Sequence, residues 1–318
     1  DYYASRGLGD VYKRQIIGGG SGMLSNSIGT VLKKVGYFIQ VIGKSSPVAF
    51  APDVFIRKNL LEDAVYITEL LDSDVIIYAA GAGVQAAVPI AANTMYTMNL
   101  LVPIKLCLLL NEHNYLGTFV SFGTYMEIGC NDEMYKSFNE DELLHSCLPV
   151  TNDYVLSKRL FTHYIHNANF VFRKYHFVLP NLFSRDEVGT RLLPYVVNYL
   201  RERKKCNKVE QPRFSSGSQI RQYVFIEEVI EAIFKCIEGE VVSGIYNIGG
   251  GQTATIREFI EELFNAFCVD VDEHMFGKEL RRDNDILSLS LNDAKLYKAI
   301  HYLSLIHISE PTRRVVIS

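Results

Sequence analysis

The sequence predicts a doubly wound α/β domain with a parallel sheet, followed by a smaller α+β lobe. From about residue 16 to residue 173, short apolar runs alternate with segments of helical periodicity. This alternation is typical of repeated βαβ units whose strands are buried on both faces. After residue 175 it stops, and polar loops separate shorter strands from strongly amphipathic helices. In a parallel sheet of this kind, ligands bind at the carboxyl ends of the strands.

The first domain is predicted over residues 16–174. The run IIGGG is a strand that ends in a glycine turn, and the helix after it, over residues 27–35, is closed by Gly36 in the left-handed position. Its apolar face consists of Ile28, Val31, Leu32 and Val35. The other predicted elements are a strand over 37–43, a short strand that turns into a helix over 56–63, a strand over 73–81, a helix over 94–110 and a strand over 117–124.

The second lobe is predicted over residues 175–302, partly interleaved with the first domain. Its elements are a strand and turn over 177–184, a helix over 191–205, a polar loop that leads into a strand and helix over 206–237, a strand over 244–248 and a helix over 255–267. The sequence shows no internal repeat and no low-complexity linker.

The two ends of the chain have a different character. Residues 1–15 and 303–318 lack a periodicity that connects to their neighbours, and both resemble translated sequencing-adapter read-through. The alternative is a natural polar tail at each end. Neither segment enters the functional argument.

Composition narrows the classes of partner. The chain has 318 residues and is 48% hydrophobic, so we expect a soluble globular protein. Its formal net charge is -4. Proteins that bind nucleic acid usually carry clustered basic residues, so we do not expect nucleic acid as a partner. Its six cysteines form no CxxC pair and no metal-ligand grouping, so we expect reduced, mostly buried thiols and no metal.

The sequence also bears on location. The longest apolar stretch, roughly residues 100–110, contains Lys105 and is shorter than the ~20 residues that span a bilayer. No signal peptide precedes the first strand, and we therefore expect a cytoplasmic protein with no membrane partner.

Two local patterns point to chemistry. Gly19 and Gly22 lie between a strand and a helix, where glycine lets the backbone approach a pyrophosphate and the helix N-terminus stabilises its charge. Tyr154 and Lys158 are spaced to share one helix face. An ammonium group there lowers the pKa of a phenol toward the range useful for acid/base work. Either pattern alone also occurs in plain turns and solvated helices.

Their order in one chain is more specific. The chain contains four features in this order: a glycine loop after the first strand, a strand end of small residues (AAG), a strand end with a hydroxyl group at Thr124, and YxxxK thirty residues later. At this point the chain resembles the extended short-chain dehydrogenase/reductase family, the nucleotide-sugar epimerases and dehydratases, over about residues 16–302. The resemblance implies a Rossmann-like fold.

The resemblance implies a nicotinamide cofactor site. Residues 19–25 resemble the GxxGxxG pattern, with Ser25 in place of the last glycine, and Asn59 and Leu60 fall near the adenine. The residues assigned to the cofactor are Gly19, Gly22, Met23, Leu24, Ser25, Lys44, Asn59, Leu60, Ala79, Ala80, Gly81, Asn99, Tyr154 and Lys158.

The same resemblance implies the catalytic and substrate residues. Tyr154 exchanges a proton with a sugar oxygen, Lys158 holds the ribose and lowers the pKa of Tyr154, and the Thr124 hydroxyl hydrogen-bonds the reacting oxygen. The residues assigned to the nucleotide-sugar substrate are Asn181 in LPNLFS, Arg191 in RLLP, and Arg221, the diphosphate-binding arginine of QIRQYV.

Departures from the family pattern refine the reaction. Tyr125 and Met126 stand where dehydratases carry Asp and Glu, which disfavours a 4,6-dehydratase, and Glu127 is kept as an alternative acid one position late. The second strand ends without the acidic residue that binds the NAD ribose, and Lys44 follows it, which favours NADP over NAD.

We therefore expect an NAD(P)-dependent oxidoreductase of a nucleotide-linked sugar, either a 4-ketoreductase/deoxysugar synthase or a 4-epimerase. The alternative is a non-catalytic nucleotide-binding scaffold or sensor of the same fold. A homodimer is a habit of the family and is kept as an expectation.

Overall fold

The structure is a computed structural model that describes residues 13–18, 20, 22–83, 89–184, 191–206, 209–239, 241–250, 253–279 and 286–300. Contacts divide the chain into two compact units. Unit 1 comprises residues 1–123, 157–177 and 242–245, and unit 2 comprises residues 124–156, 178–241 and 246–318. This division is more interleaved than the predicted boundary between residues 174 and 175.

A seven-stranded sheet forms the centre of the Rossmann-like α/β fold. Its strands, numbered along the chain, are β1 (Lys13–Ile17), β2 (Phe38–Gly43), β3 (Val54–Arg57), β4 (Val75–Tyr78), β5 (Thr118–Thr124), β6 (Arg173–Leu179) and β10 (Gly244–Asn247). Their order is β10-β6-β5-β4-β1-β2-β3. The pairings of β1 with β2 and β4, of β2 with β3 and of β4 with β5 are parallel. The order reverses beside β1, as in a doubly wound sheet, and the predicted fold class is confirmed.

Helices cover the sheet of unit 1. They are α1 (Met23–Val35), α2 (Ala92–Tyr96), the π-helical segment Thr97–Leu101, α3 (Val102–Glu112) and the part of α5 (Asp153–Asn167) that begins at Ser157. The core between them is apolar, because β4 and β5 are buried along their whole length. Ile17, Ile42, Ile76, Phe119 and Phe161 belong to this core.

Unit 2 contains short strands of two or three residues together with its own helices. They are α4 (Glu140–Leu144), β7 (Asn181–Phe183), α6 (Leu192–Lys205), β8 (Ile220–Arg221), β9 (Tyr223–Phe225), α7 (Ile226–Glu238), β11 (Ala254–Thr255), α8 (Ile256–Ala266), β12 (Ser288–Leu289) and α9 (Ala294–Ile300). Strands β11, β8 and β12 form one small sheet, and β7 pairs with β9 in another. Buried residues of α6 and α8, such as Leu200 and Ile260, belong to one apolar cluster.

Strand β1 begins earlier than predicted. It includes Lys13, Arg14 and Gln15, which the sequence analysis assigned to the N-terminal tail. Both Arg14 and Gln15 are buried, because their polar groups have partners. The Gln15 amide donates to the Glu69 carbonyl at 3.0 Å, and the Arg14 guanidinium lies 4.7 Å from the centre of the Tyr37 ring.

Two predicted helices differ from the structure. Helix α1 begins at Met23, one turn before the predicted start. The helix predicted after β3 is absent from the described residues between β3 and β4, which contain one short 3-10 helix, Ile67–Glu69. There the Asn59 N–H donates to the Asp63 carboxylate at 2.6 Å. Local bonds of Asn and Asp side chains of this kind compete with helix formation.

The cysteines are free but less buried than expected. Cys107 and Cys236 are buried, Cys130 is half-buried, and Cys147, Cys206 and Cys268 are exposed. The prediction of mostly buried thiols is therefore wrong. Burial raises the pKa of the Cys107 thiol, so this group is inert as a nucleophile.

One helix is longer than the apolar stretch that the sequence analysis considered. Among the described residues, Ala92–Glu112 is the one helix whose 21 residues are long and apolar enough to cross a membrane. Core helices of soluble proteins share these properties, and Leu106, Cys107 and Leu110 of this helix belong to the core of unit 1. The expected absence of a membrane partner stays a prediction.

Candidate active site

The glycine turn after β1 is packed tightly against neighbouring strand ends of unit 1. Gly18 has a positive φ of 81° and donates its N–H to the Ile42 carbonyl at 2.7 Å. A Cβ atom at Gly18 would lie 2.3 Å from the Cβ of Ala80, and one at Gly20 would lie 2.2 Å from the Ser45 hydroxyl. The ends of β1, β2 and β4 therefore converge, as their parallel arrangement predicts. Gly19 lies outside the described residues.

Helix α1 begins directly after this turn. Gly22 is the exposed N-cap, Met23 and Leu24 are half-buried, and the first turn contains no acidic residue. Ser25 is buried, and its hydroxyl donates to the Gly22 carbonyl at 2.9 Å. The serine in place of the third glycine thus fits the helix start by bonding back to the backbone.

Asn26 is a residue of this region that the sequence analysis missed. Its buried amide nitrogen donates to the carbonyls of Gly20 and Gly22 at 3.2 and 2.9 Å. Its oxygen accepts from the N–H groups of Val48 and Ala49 at 3.1 and 3.0 Å. Asn26 therefore ties the glycine turn to the loop after β2. The available signal was a polar residue near the start of an otherwise apolar helix face.

Three predicted cofactor residues lie farther along unit 1. Lys44 is exposed at the end of β2. Asn59 is half-buried in the turn with Asp63. Leu60 is buried and lines a cavity of about 350 Å³ against helix α3, together with residues such as Leu106.

The end of β4, the π-helical segment and α5 meet in unit 1. Buried Asn99 accepts from the Ala82 N–H at 3.0 Å and donates to the Ala82 carbonyl and the Ser157 hydroxyl at 2.9 and 3.0 Å. A Cβ at Gly81 would lie 3.3 Å from the Asn99 oxygen and 3.9 Å from Lys158 Nζ. The structure thus brings together Gly81, Asn99 and Lys158, and π-helical segments often occur at functional sites.

Lys158 has a defined partner in the sheet. Its ammonium group donates to the Phe122 carbonyl of β5 at 2.9 Å. Tyr154 precedes it by four residues on α5, so the predicted YxxxK pair lies one turn apart on one helix. Asn152 caps the start of this helix by accepting from the Val155 N–H at 3.0 Å.

Thr124 and Tyr154 form a hydrogen-bonded pair in unit 2. Thr124 ends β5 and caps the 3-10 helix Tyr125–Ile128, in which the Glu127 carboxylate accepts from the Thr124 N–H at 2.7 Å. Burial raises the pKa of Tyr154, and the Glu127 charge raises it further. The hydrogen bond from Thr124 lowers this pKa, but by less. The expected lowering of this pKa is therefore wrong for the structure, because burial disfavours the phenolate.

Unit 2 contains a large cavity of about 1000 Å³. Asn181, Arg221, Tyr125 and Met126 line it, whereas Arg191 is not among its lining residues. Other lining residues are Leu192, Tyr195, Asn198, Tyr199, Glu202, Phe214, Gln219 and Tyr223. Of the predicted substrate residues, the cavity therefore brings together Asn181 and Arg221.

Backbone carbonyls fix the two arginines. The buried Arg221 guanidinium donates to the carbonyls of Ile220 and Ile286 at 2.6 and 2.9 Å. The Arg191 guanidinium donates to the Leu182 carbonyl at 3.1 Å. Gln219 also lines the cavity and was not predicted; its side-chain oxygen is buried and has no hydrogen-bond partner among the described residues.

The described part of the chain shows no group of three or more His, Cys, Asp and Glu side chains placed to hold a metal ion. His145 is the exposed C-cap of α4, and its Nδ1 lies 2.8 Å from the Asp141 carbonyl oxygen.

Comparison with known proteins identifies the family. The family model described as the NAD dependent epimerase/dehydratase family matches residues 16–249. The chain belongs to this family. The resemblance drawn from the sequence motifs is thus confirmed.

The curated relatives of the chain include enzymes named for different reactions. The chain is 26% identical to a CDP-abequose synthase of Salmonella typhimurium over 153 residues, which cover 45% of the chain and 48% of the relative. It is 25% identical to a dTDP-D-glucose 4,6-dehydratase of Dictyostelium discoideum over 149 residues, which cover 44% of the chain and 31% of the relative. The matches thus span about half or less of these relatives.

Solved structures of the family share the fold over nearly the whole chain. A UDP-N-acetylglucosamine 4-epimerase from Methanobrevibacter ruminantium has a TM-score of 0.75 at 18% identity, covering 97% of this chain and 98% of that one. A dTDP-glucose 4,6-dehydratase from Bacillus anthracis, in complex with NAD, has a TM-score of 0.74 at 16% identity and covers 96% of both chains. At these identities the likeness shows the fold alone.

Proposed function

We propose that this chain is an NAD(P)-dependent oxidoreductase that reduces a keto group of a nucleotide-linked sugar, as a 4-ketoreductase or deoxysugar synthase. A 4-epimerase is the second form of the same proposal. The observation that carries it is the Thr124–Tyr154 hydrogen bond, with Tyr154 one turn from Lys158 on α5. The match to a CDP-abequose synthase supports the synthase form.

The protonation state of Tyr154 favours reduction. Because burial and Glu127 raise its pKa, the phenol is protonated at neutral pH. A protonated phenol donates a proton to the oxygen of a ketone as that oxygen becomes a hydroxyl. An epimerase that begins by oxidising its sugar needs the phenolate first, which this environment disfavours. The single Thr124 hydroxyl proton goes to the phenol oxygen in the free protein, and in this proposal it turns to the sugar oxygen when substrate binds.

The residues of unit 1 fit a nicotinamide dinucleotide. Helix α1 starts at exposed Gly22 with no acidic residue in its first turn, so its partial positive charge favours a pyrophosphate. Gly81 leaves only backbone beside Asn99 and Lys158. When bound, the cofactor supplies or accepts a hydride. Lys158 and the glycine turn hold it in this proposal.

We propose NADP as the preferred cofactor. Lys44 is exposed directly after β2, and residues 43–48 carry no carboxylate. The nearest acidic residue in sequence is Asp53, whose carboxylate contacts Lys33 Nζ at 2.7 Å and accepts from the Ile39 N–H. Without an acidic residue to accept the ribose hydroxyls and repel a 2′-phosphate, Lys44 supports NADP. Several structural neighbours carry NAD.

The cavity of unit 2 supports a nucleotide-sugar substrate. Its volume of about 1000 Å³ is in the upper range of small-molecule sites, ~300–1,000 Å³. We propose that Arg221, oriented by two carbonyls, binds the diphosphate and that Asn181 contacts the sugar. The role proposed for Arg191 is to hold the start of α6 near the substrate.

A 4,6-dehydratase is disfavoured in this proposal. Tyr125 and Met126 line the cavity at the positions where a dehydratase carries its acidic pair. Glu127 is buried and accepts from the Thr124 N–H, so it caps a turn. Dehydratases among the relatives and neighbours make a dehydration assay the necessary comparison.

The second candidate function is a non-catalytic nucleotide-binding scaffold or sensor. Ser25 and Tyr125 motivate it, since both depart from the common family pattern. The Ser25 hydroxyl bonds back to Gly22, so this departure leaves the start of α1 intact. Turnover by the wild-type protein excludes this candidate.

Two measurements test the proposed function. Mass spectrometry of the protein as purified identifies its cofactor: NADP supports the reductase form, and tightly held NAD supports the epimerase form. Tyr154→Phe should lower turnover by about 10²–10⁴-fold while NADPH binding, followed by fluorescence, stays nearly unchanged. Failure to bind either cofactor would contradict the proposal, and retained turnover would refute Tyr154 as the acid.

A further inference from the structure

A buried histidine lies between two hydroxyl groups in unit 1, outside the residues assigned to the reaction. His176 is in β6 and is 1% exposed. Its Nδ1 is 2.8 Å from the Ser121 hydroxyl of β5, and its Nε2 is 2.9 Å from the Thr162 hydroxyl of α5. The Phe161 ring meets it edge-on, with ring centres 5.7 Å apart. Both ring nitrogens are thus engaged.

The number of available protons fixes the donor and acceptor in each hydrogen bond between Ser121, His176 and Thr162. The Thr162 hydroxyl donates to the Lys158 carbonyl at 3.1 Å, and a carbonyl can only accept. Since Thr162 has one hydroxyl proton, its oxygen must accept from Nε2–H of His176. Burial lowers the pKa of His176 and keeps the ring neutral, so the other nitrogen, Nδ1, is unprotonated and accepts from the Ser121 hydroxyl. His176 is therefore the neutral Nε2–H tautomer.

This series of hydrogen bonds ends at the backbone carbonyl of Lys158. The ammonium group of the same lysine donates to the Phe122 carbonyl at 2.9 Å, and Phe122 follows Ser121 in β5. Two adjacent residues of β5 are therefore connected to both ends of Lys158. Burial, with a smaller contribution from the nearby Lys158 charge, lowers the pKa of His176 to about 3, so the histidine stays neutral at working pH.

We propose that His176 is a positioning residue that, through Thr162, holds the turn of α5 carrying Lys158 at a fixed place against β5. Because His176 is 1% exposed, we assign it an indirect role, through Thr162 and Lys158. The kinetic part of this inference rests on the proposed function, in which Lys158 acts beside Tyr154. A small displacement of a group beside the reacting atoms lowers the rate more than it weakens substrate binding.

Three variants test the role by kinetics. His176→Phe removes both hydrogen bonds of the ring, and Thr162→Val removes the link to Lys158 at nearly constant shape. His176→Gln keeps a neutral donor and acceptor side by side. His166→Gln, at an exposed position of α5, is the matched control. Far-UV circular dichroism checks that each variant is folded.

We expect His176→Phe and Thr162→Val to lower kcat by about tenfold or more, with KM changed by less than about twofold. His176→Gln should restore kcat to within about threefold of the wild-type value, because it retains the donor to Thr162. A His176→Gln variant as slow as His176→Phe would overturn the inference. An increase in KM with unchanged kcat would also overturn it.

Two readouts do not require turnover and separate this inference from the proposed function. Nitrogen NMR of ¹⁵N-histidine protein should show the Nε2–H tautomer of His176 without titration from about pH 5 to pH 9. Peptide mass spectrometry should show Lys158 acetylated about fivefold faster in Thr162→Val than in wild type, because displacement of this turn weakens the hydrogen bond from the Lys158 ammonium group to the Phe122 carbonyl. The opposite tautomer, titration in this range or an unchanged acetylation rate would overturn the inference even if the chain proves inactive.

Discussion

The packing of Gly18 against Ala80 gives the sharpest stability prediction. A Cβ at Gly18 would lie 2.3 Å from the Ala80 Cβ, 2.6 Å from its Cα and 2.8 Å from its nitrogen. Ordinary contact begins at 3.4 Å, so Gly18→Ala forces the ends of β1 and β4 apart by about 1 Å. The neighbouring atoms are backbone or Cβ, so no flexible side chain can absorb the shift.

The expected loss has two parts. A left-handed backbone at φ 81° costs an alanine about 1–2 kcal/mol, and overpacking costs about 1–3 kcal/mol. Gly18→Ala should therefore lower the free energy of unfolding by about 2–5 kcal/mol. Gly36→Ala is the matched control, since Gly36 has φ 94° and no atom within 4 Å of its Cβ position. It should lose about 1–2 kcal/mol only.

Urea unfolding followed by far-UV circular dichroism measures both variants, because the chain has no tryptophan. The difference between the two losses isolates the packing contribution. Equal losses, within about 0.5 kcal/mol, would refute the close approach of the two strand ends. Since those ends flank the proposed cofactor site, Gly18→Ala should also weaken NADPH binding more than Gly36→Ala does.

Three further predictions test other parts of the site. Glu127→Gln removes a charge that raises the pKa of Tyr154 while keeping an acceptor for the Thr124 N–H; the high-pH limb of the kcat profile should move to lower pH, whereas loss of turnover would make Glu127 the acid. Asn26→Ala removes four hydrogen bonds of a buried side chain and should cost about 2–4 kcal/mol in urea unfolding. A loss below about 0.5 kcal/mol would contradict its role in tying the glycine turn to the loop after β2. Burial raises the pKa of Glu140, so the folded state favours its protonated form, and the free energy of unfolding falls as pH rises from about 4.5 through the folded pKa. Glu140→Gln should therefore gain stability relative to wild type across that pH range. A difference in stability that does not depend on pH would contradict the raised pKa.

Much of the fold follows from local patterns in the sequence. The face formed by Ile28 and Leu32 predicted α1, and the apolar runs predicted β2, β4 and β5, because burial on both faces requires continuous apolar residues. The start of β1 was missed because Arg14 and Gln15 are polar. Their burial depends on Tyr37 and Glu69, which only the folded chain brings close.

The sequence also predicts the part of the site that depends on local patterns. Residues whose role depends on a strand end or on helix spacing, such as Gly22, Thr124, Tyr154 and Lys158, follow from sequence order. Asn26 and His176 do not, because their partners are separated from them by up to 23 and 55 residues. The pKa of Tyr154 was predicted in the wrong direction, because burial is a property of the fold and the YxxxK spacing does not report it.

The central claim is that Tyr154 donates a proton while hydride passes from a nicotinamide cofactor to a nucleotide-linked ketosugar. Its most direct test incubates the wild-type and Tyr154→Phe proteins with NADPH deuterated at the transferring position and with CDP-, dTDP- and UDP-linked 4-ketosugars. Mass spectrometry should find one deuterium in the sugar product of at least one substrate with wild-type protein, and none above background with the variant. Absence of deuterium from every product, in parallel reactions with deuterated NADH as well, would contradict the account.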